Sequence, residues 1–446
     1  MELAEPLSDT SFGGFVAAAK AAGDLVVQPR MGFATVDQMR AGLVAVKNAR
    51  ARVTGTITLD SYTRVGLHRS ARRALDNSDE LNGYPLVAHG PVVTRTMLDG
   101  VMDDTFPVQI RHGAALPGEI FLTLVAAGVD ATEGGPVSYC LPYSRTPLHV
   151  AVDAWARACE VLTTRTLQGH RPHLESFGGC MLGQLCPPSL LVALSLLEGL
   201  FFRQHGLHDI SLSYAQQTNP AQDTEAIHAL RVLAEELLPD MSWHVVLYTY
   251  MGVFPGTELG ALALLKESAR LAVRSGAERL IVKTPAEAHR IPTVAENVRA
   301  LEIAAATAQA EREAASAGFG QQPTAVRDSA VYQEARTLVE ACLELSADVG
   351  TALRTAFTRG YLDVPYCLHP DNANRARSVV DPQGRLEWLQ TGSMPISPSS
   401  GTGSTSQLQA AEFLEMLTFV SRGFDARALN PRPDDRQDGP RRSLTP

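Results

Sequence analysis

Short β-branched and apolar runs recur along this chain between longer stretches rich in Ala and Leu. The clearest are LVVQPR (25–30), VTGTITLDSY (53–62), PLVAHG (85–90), PVQIRHG (107–113), VDATEGG (129–135), HLESFGG (173–179), ISLSYAQQ (210–217), HVVLYTY (244–250) and RLIVKTP (279–285). Helix-like stretches lie between them, among them HVAVDAWARACEVLTTRT (149–166), SLLVALSLLEGLFFRQHG (189–206) and TEAIHALRVLAEELLPD (224–240). Strands alternating with helices at this spacing predict βαβ units and a parallel sheet. Eight or nine units over roughly 280 residues fit a closed TIM (β/α)8 barrel better than an open doubly wound sheet. The expectation is an α/β barrel over 1–295 with a smaller C-terminal α+β appendage over 296–424 and a disordered tail over 425–446. Within the appendage, helices are expected over 296–316, 329–346 and 408–423, irregular strands and turns over 361–397, and a flexible loop over 395–407.

Composition narrows the class. The apolar fraction of 45% is that of a globular protein with a full core, and a net charge of −9 without a basic stripe argues against nucleic acid. No apolar run reaches the ~18 residues of a membrane span. The opening MELAEPLSDT is acidic and polar, unlike a secretory signal. Six scattered cysteines with no CxxC pair fit reduced thiols and a cytoplasmic setting.

In a barrel the carboxyl ends of the strands converge on one face, so polar residues there are the first candidates for chemistry. They are Arg30, Arg64, His89, Arg111, His112, Glu133 and Lys283. Guanidinium forks hold carboxylates in bidentate fashion, so Arg30, Arg64 and Arg111 at three strand ends suit a substrate with two carboxylates, or a carboxylate and a phosphate. Glu133, a lone acid among them, suits a substrate ammonium. Each arginine could equally pair with a neighbouring acid on the rim. His112 either shares the carboxylate with Arg111 or is a satisfied rim histidine, and Tyr139 and Tyr143, four apart, either face one pocket or pack the loop. Lys283, one of only four lysines, has Glu287 four residues on. That pair could bind a ribose or form an i,i+4 ion pair, and Lys283 could instead form a Schiff base. No metal-ligand cluster stands out, and GxGxxG, Walker and GxSxG loops are absent.

An ordered set of strings decides more. QPRMG (28–32), DSYTR (60–64), LNGYP (81–85), RHG (111–113), EGGPVSYCLPY (133–143), MGVFP (251–255), IVKTPAEAHRIPT (281–293) and DVPY (363–366) resemble the large ε subunit of the glutamate mutase (methylaspartate mutase) family. The resemblance implies an isomerase that converts L-glutamate to L-threo-3-methylaspartate by adenosylcobalamin radical chemistry. It places Arg30, Arg64, Arg111 and His112 on the substrate carboxylates, Glu133 on the ammonium, and Tyr139 and Tyr143 in the same pocket. Gly32, Asn82, Pro142, Phe254 and Ile291 match positions on the cobalamin and adenosyl side, and Lys283 with Glu287 matches the pair that holds the adenosyl ribose. The cobalt-ligating histidine belongs to a DxHxxG motif in the family's small σ subunit. No DxH occurs in this chain, so a σ partner and an ε2σ2 assembly are implied. The stretches ESFGGCMLGQLCPP (175–188), SYAQQTNPAQD (213–223) and LYTYMGVFP (247–255) depart from the family pattern. They leave the radical mechanism standing and leave open a related mutase of secondary metabolism acting on another dicarboxylate such as 2-oxoglutarate; Lys283 separately leaves open a cofactor-free barrel lyase using it as a Schiff base.

Overall fold

The computed structural model describes residues 11–181, 185–317, 326–398 and 409–429. Eight strands form one sheet: β1 (Val26–Pro29), β2 (Gly55–Thr58), β3 (Val108–Arg111), β4 (Ala131–Gly134), β5 (His173–Ser176), β6 (Asp209–Ala215), β7 (Ser242–Tyr248) and β8 (Arg279–Val282). Every ladder is parallel, in the order β1-β8-β7-β6-β5-β4-β3-β2. The seam between β1 and β2 is closed by a parallel bridge from Val27 to Val53 and by the Thr58 amide donating to the Met31 carbonyl at 2.8 Å. This is the TIM-type barrel expected.

The run at 85–90 is not a strand. Leu86–His89 forms one helical turn between Pro85 and Gly90, whose φ of +81° hands the chain to the helix Pro91–Leu98. A six-residue apolar run satisfies helical and extended periods alike, and the prolines at either side decide for the turn. Its predecessor Tyr84 makes the extended contact instead, bridging Leu59 just past β2. His89, expected at a strand end, bonds the Ala34 carbonyl through Nε2 at 2.8 Å.

Alternation along the strands sorts two environments. Val27, Ile57, Ile110, Leu174, Ile210, Leu247 and Leu280 face the helices and join the main core. Their neighbours Gln28, Thr56, Gln109, Glu175, Ser211 and Arg279 bond one another across the barrel interior. The helix Phe12–Ala21 seals the amino-terminal end, where the Phe12 ring lies 4.8 Å from that of His173. The helix Val294–Ala317 packs on β1 and on the helices Val36–Lys47 and Glu258–Ser275, completing the outer ring.

Pro188–Gln204 is apolar nearly all round and buried through Phe202. A helix of that kind needs cover on every side. The helices Ala330–Leu343 and Val349–Arg359 provide it opposite the sheet. An antiparallel hairpin, β9 (Arg377–Val380) and β10 (Leu386–Gln390), accounts for the irregular strands expected over 361–397. The last helix runs over Ala410–Leu429, past the end expected at Gly423, because Phe424 and Asp425 dock on the barrel. Most of the flexible loop and all but the first residues of the expected tail lie outside the described residues. All six cysteines are buried and free. Among the described residues no helix is long and apolar enough to cross a membrane.

Candidate active site

The carboxyl ends of β8 and β1 meet first. Lys283 follows β8, with its Nζ 3.8 Å from Glu287 Oε2, 3.4 Å from the Tyr250 carbonyl and 4.4 Å from the centre of the Phe254 ring. Pro285 opens the single turn Pro285–Ala288 that carries Glu287, and the Thr284 amide donates to Glu287 Oε1 at 3.3 Å. Burial pushes the Lys283 ammonium down to about 8; Glu287 opposes that shift and Arg30 reinforces it. Arg30, directly after β1, donates through Nη1 to Glu287 Oε2 at 2.8 Å. Glu287 therefore binds Arg30 more closely than it binds Lys283.

Arg64 is not at a strand end. It closes the short helix Ser61–Arg64, whose start is capped by Asp60 accepting from the amides of Tyr62 (2.9 Å) and Thr63 (3.1 Å). The side chain packs beside Gly113, and its buried Nε has no partner among the described residues. Asn82 Oδ1 accepts from the Ser61 amide at 2.9 Å and holds LNGYP along the same rim. Arg30, Gly32, Arg64, Asn82, Glu287 and Ile291 line one cleft of about 520 Å³.

Beneath it sits a charged cluster. Arg111 ends β3 and donates from Nε to Glu133 Oε2 at 2.6 Å and from Nη2 to the Tyr248 hydroxyl at 3.2 Å. Glu133, on β4, receives the Tyr139 hydroxyl on Oε1 and the Tyr248 hydroxyl on Oε2, the latter at 2.8 Å. Tyr248 also contacts Glu175 Oε1, and Glu175 Oε2 is paired with Arg279. Burial alone would raise the Glu175 carboxyl, but Arg279 and Arg111 outweigh it and hold the group below its ordinary value. Glu133 is thus not a lone acid, since Glu175 shares the Tyr248 hydroxyl with it. Tyr143 keeps 49% of its surface open, its ring 5.9 Å from that of Tyr139. Pro142, beside it, is half-buried.

His112 is enclosed. Its ring stacks on Trp155 at 5.7 Å, and Nδ1 accepts the Ala114 amide at 3.0 Å, so Nε2 carries the proton. Burial, with Arg64 and Arg111 acting the same way, pushes its pKa down to about 3, which leaves a neutral ring behind Arg111.

The loop after β4 is fixed from below. Glu198, buried in Pro188–Gln204, accepts from the amides of Val137 (3.2 Å) and Ser138 (2.9 Å) and from the hydroxyls of Ser138 (3.0 Å) and Ser176 (3.2 Å). A side chain at Gly135 would collide with that carboxylate, and one at Gly134 (φ +132°) would collide with the rings of Trp155 and Tyr139. EGG therefore lets the backbone lie against both. Burial raises the Glu198 carboxyl to about 7. A raised carboxyl makes the folded protein bind more protons than the unfolded chain, so stability falls as pH climbs from about 4.5 to 7. Glu198→Gln keeps an acceptor for both amides and a donor for both hydroxyls. It should remove that slope and stabilise the protein above pH 7 by up to about 3 kcal/mol at ~1.4 kcal/mol per unit. Urea melts at pH 5 and 8 check this, and a variant whose stability difference between the two pH values equals that of the parent would contradict it.

Arg30, Arg64, Asn82 and Glu287 thus share a cleft, and Arg111, Glu133 and Tyr139 form the cluster beneath. Arg64 joins the two groups, lining the cleft and packing beside Gly113, two residues past Arg111. The methylaspartate mutase E chain (MutE) family matches residues 8–411. The chain belongs to that family. A mutase is an isomerase, and this is the family's enzyme class. The glutamate mutase epsilon subunit of Escherichia coli O157:H7 is 31% identical over 390 residues, covering 84% of this chain and 79% of its own length. That of Halobacterium salinarum is 29% identical over 412 residues, covering 86% and 80%. Among solved structures, a dihydrodipicolinate synthase from Agrobacterium tumefaciens shares 13% identity over 91% of this chain and 97% of its own, with a TM-score of 0.34. A sialic acid synthetase from Leptospira borgpetersenii shares 11% over 68% and 88%, with a TM-score of 0.37. All the family strings but DVPY, which lies in the C-terminal region, thus fall at the carboxyl ends of the barrel strands, while Glu175, Tyr248, Arg279 and Glu198 went unread in the sequence. The first three stand an even number of residues from another polar strand position, Glu175 two after His173, Tyr248 four after His244 and Arg279 four before Lys283, which is the signal that marks an inward face.

Proposed function

We propose that this chain is the substrate-binding large subunit of an adenosylcobalamin-dependent glutamate mutase that rearranges L-glutamate to L-threo-3-methylaspartate. The observation that carries the proposal is the gathering of Arg30, Arg64, Arg111 and Glu133 at one barrel mouth. Four cations (Arg30, Arg64, Arg111, Lys283) face two carboxylates (Glu133, Glu287) there, while Glu175 is balanced by Arg279. The excess of two positive charges suits a dicarboxylate, and Glu133 suits its ammonium.

The residues fit the cofactor side as well. Lys283 and Glu287 present a donor and an acceptor 3.8 Å apart, matched to the vicinal hydroxyls of a ribose. Thr58 Oγ1 and Arg64 Nε, both buried and without a partner among the described residues, belong to residues of the cleft wall beside Gly32, Asn82 and Ile291. Phe254 underlies the Lys283 ammonium. Adenosylcobalamin, held on its ribose side by Lys283 and Glu287, would supply the radical chemistry. This chain's residues do the rest: guanidinium forks hold both carboxylates while the carbon skeleton is remade, Glu133 fixes the ammonium, His112 backs the Tyr139 ring, and the barrel walls keep water out. With no Asp-x-His in the chain, the cobalt ligand falls to a small σ partner carrying DxHxxG, in an ε2σ2 assembly. The lowered Lys283 ammonium also suits a Schiff base. Borohydride trapping with substrate separates the two: no adduct on Lys283 is expected.

Arg111→Lys keeps the charge but loses the fork to Glu133 and Tyr248. The KM for glutamate should rise about 10- to 100-fold, the worth of one charge-assisted hydrogen bond. An unchanged KM would count against the carboxylate clamp.

A further inference from the structure

The helix Ala410–Leu429 lies, but for its first two residues, beyond the stretch matched by the family. Asp425 on this helix reaches the turn that follows β7. It accepts from the amides of Gly256 (2.9 Å) and Thr257 (3.0 Å) and from the Thr257 hydroxyl (2.5 Å). Thr257 is the N-cap of Glu258–Ser275, so Asp425 places a carboxylate at the positive end of that helix. The approach is close: a Cβ on Gly260 would stand 2.6 Å from Asp425 Oδ1. Val420 on the same helix is buried in a cluster with Tyr250, Phe254, Ala261 and Leu264. On its other side, Phe413 lies 4.9 Å from the Tyr366 ring and Met416 packs on Leu185 and Leu386, which anchors the helix to the C-terminal hairpin region.

Two members of the Val420 cluster touch Lys283. The Tyr250 carbonyl accepts from its ammonium at 3.4 Å, and the Phe254 ring lies 4.4 Å from it. The segment between them, Met251–Val253, makes its turn between the end of β7 and the Asp425 clamp. We propose that the C-terminal helix is a strap over the cofactor side of the site, and that Asp425 is a positioning residue that fixes the 251–257 turn so that Phe254 and the Tyr250 carbonyl enclose the Lys283 ammonium. The role in cofactor binding rests on the reading of Lys283 and Phe254 as adenosyl-side residues; the enclosure of Lys283 does not.

The test uses full-length Asp425→Ala and Asp425→Asn. The first readout needs no cofactor: competitive acylation of amines across a pH series, read by mass spectrometry at Lys283. In the parent chain burial and Arg30 depress this ammonium and Glu287 supports it, giving a midpoint near 8. In Asp425→Ala the midpoint should move up by about one unit as water enters, with Asp425→Asn, which retains an acceptor oxygen for the Thr257 amide, returning most of the way. The second readout is kinetic. The KM for adenosylcobalamin should rise about 5-fold, the effect of a lost helix cap, with the KM for glutamate held within about twofold. A shifted acylation midpoint without any cofactor dependence supports the strap and overturns the adenosyl role alone. A Lys283 midpoint that stays at the parental value in both variants, each folded by circular dichroism, overturns the strap.

Discussion

Arg279→Met should cost the fold about 3–5 kcal/mol, the usual result of removing one partner from a buried ion pair. Arg279 and Glu175 are both 0% exposed, and no solvent reaches the carboxylate that the substitution strands. Arg279 also donates to Ser211 Oγ at 2.9 Å, to His244 Nε2 at 3.2 Å and to Gln28, so three further groups lose a donor. Gln109 at 3.2 Å, Ser211 at 3.2 Å and the Tyr248 hydroxyl remain on Glu175, but none carries charge. The paired change Arg279→Met with Glu175→Gln removes the stranded charge and should recover more than half of the loss. Denaturant midpoints of the two variants measure both effects. A loss below about 1 kcal/mol for the single change would show that the interior pair is not what closes the barrel's polar layer.

The second large effect falls on turnover. Glu133→Gln preserves shape and hydrogen bonding but removes the charge that balances Arg111 and that would receive the ammonium. Arg111 and Glu133 are both buried, and Tyr248 is the other group that Arg111 meets in the cluster. The neutral side chain frees Arg111 to pull the substrate carboxylate inward and leaves the ammonium without a counter-ion. A displacement of about 1 Å at a reacting centre costs on the order of 100-fold, so kcat/KM for glutamate should fall by about that factor while corrin uptake with the σ partner persists. Undiminished turnover would refute the role given to Glu133.

The sequence displayed the barrel through spacing alone, because parallel strands buried on both faces read as short apolar runs between helices. It misplaced PLVAHG, where a short run between prolines has no periodicity to decide it. Arg30, Arg111 and Glu133 were legible as strand-end polar residues, since the barrel brings such ends together whatever the loops do. Arg64 was legible as a residue but not as a position, because the Asp60 cap that turns the chain into a short helix is a local event that strand patterns do not encode. The layer beneath was visible only in outline. Gln28, Gln109, Glu175, Ser211 and Arg279 alternate with apolar residues as half-exposed strands do, yet their polar faces meet one another instead of water. Which polar face is interior depends on barrel closure, a non-local property. Glu198 was hidden for a different reason: it stands alone in an apolar helix, and its partners lie 22 to 61 residues earlier in the chain.

We propose that this barrel mouth holds an acidic amino acid beneath a cobalamin carried by another protein. The most direct measurement is product analysis after mixing the chain with a DxHxxG-bearing σ subunit, adenosylcobalamin and L-glutamate. 3-Methylaspartate is expected when all components are present and none when either protein or the cofactor is left out, with Arg64→Ala abolishing it. Turnover of another dicarboxylate by the same mixture with no methylaspartate from glutamate would contradict the substrate, and product formed without adenosylcobalamin would contradict the chemistry.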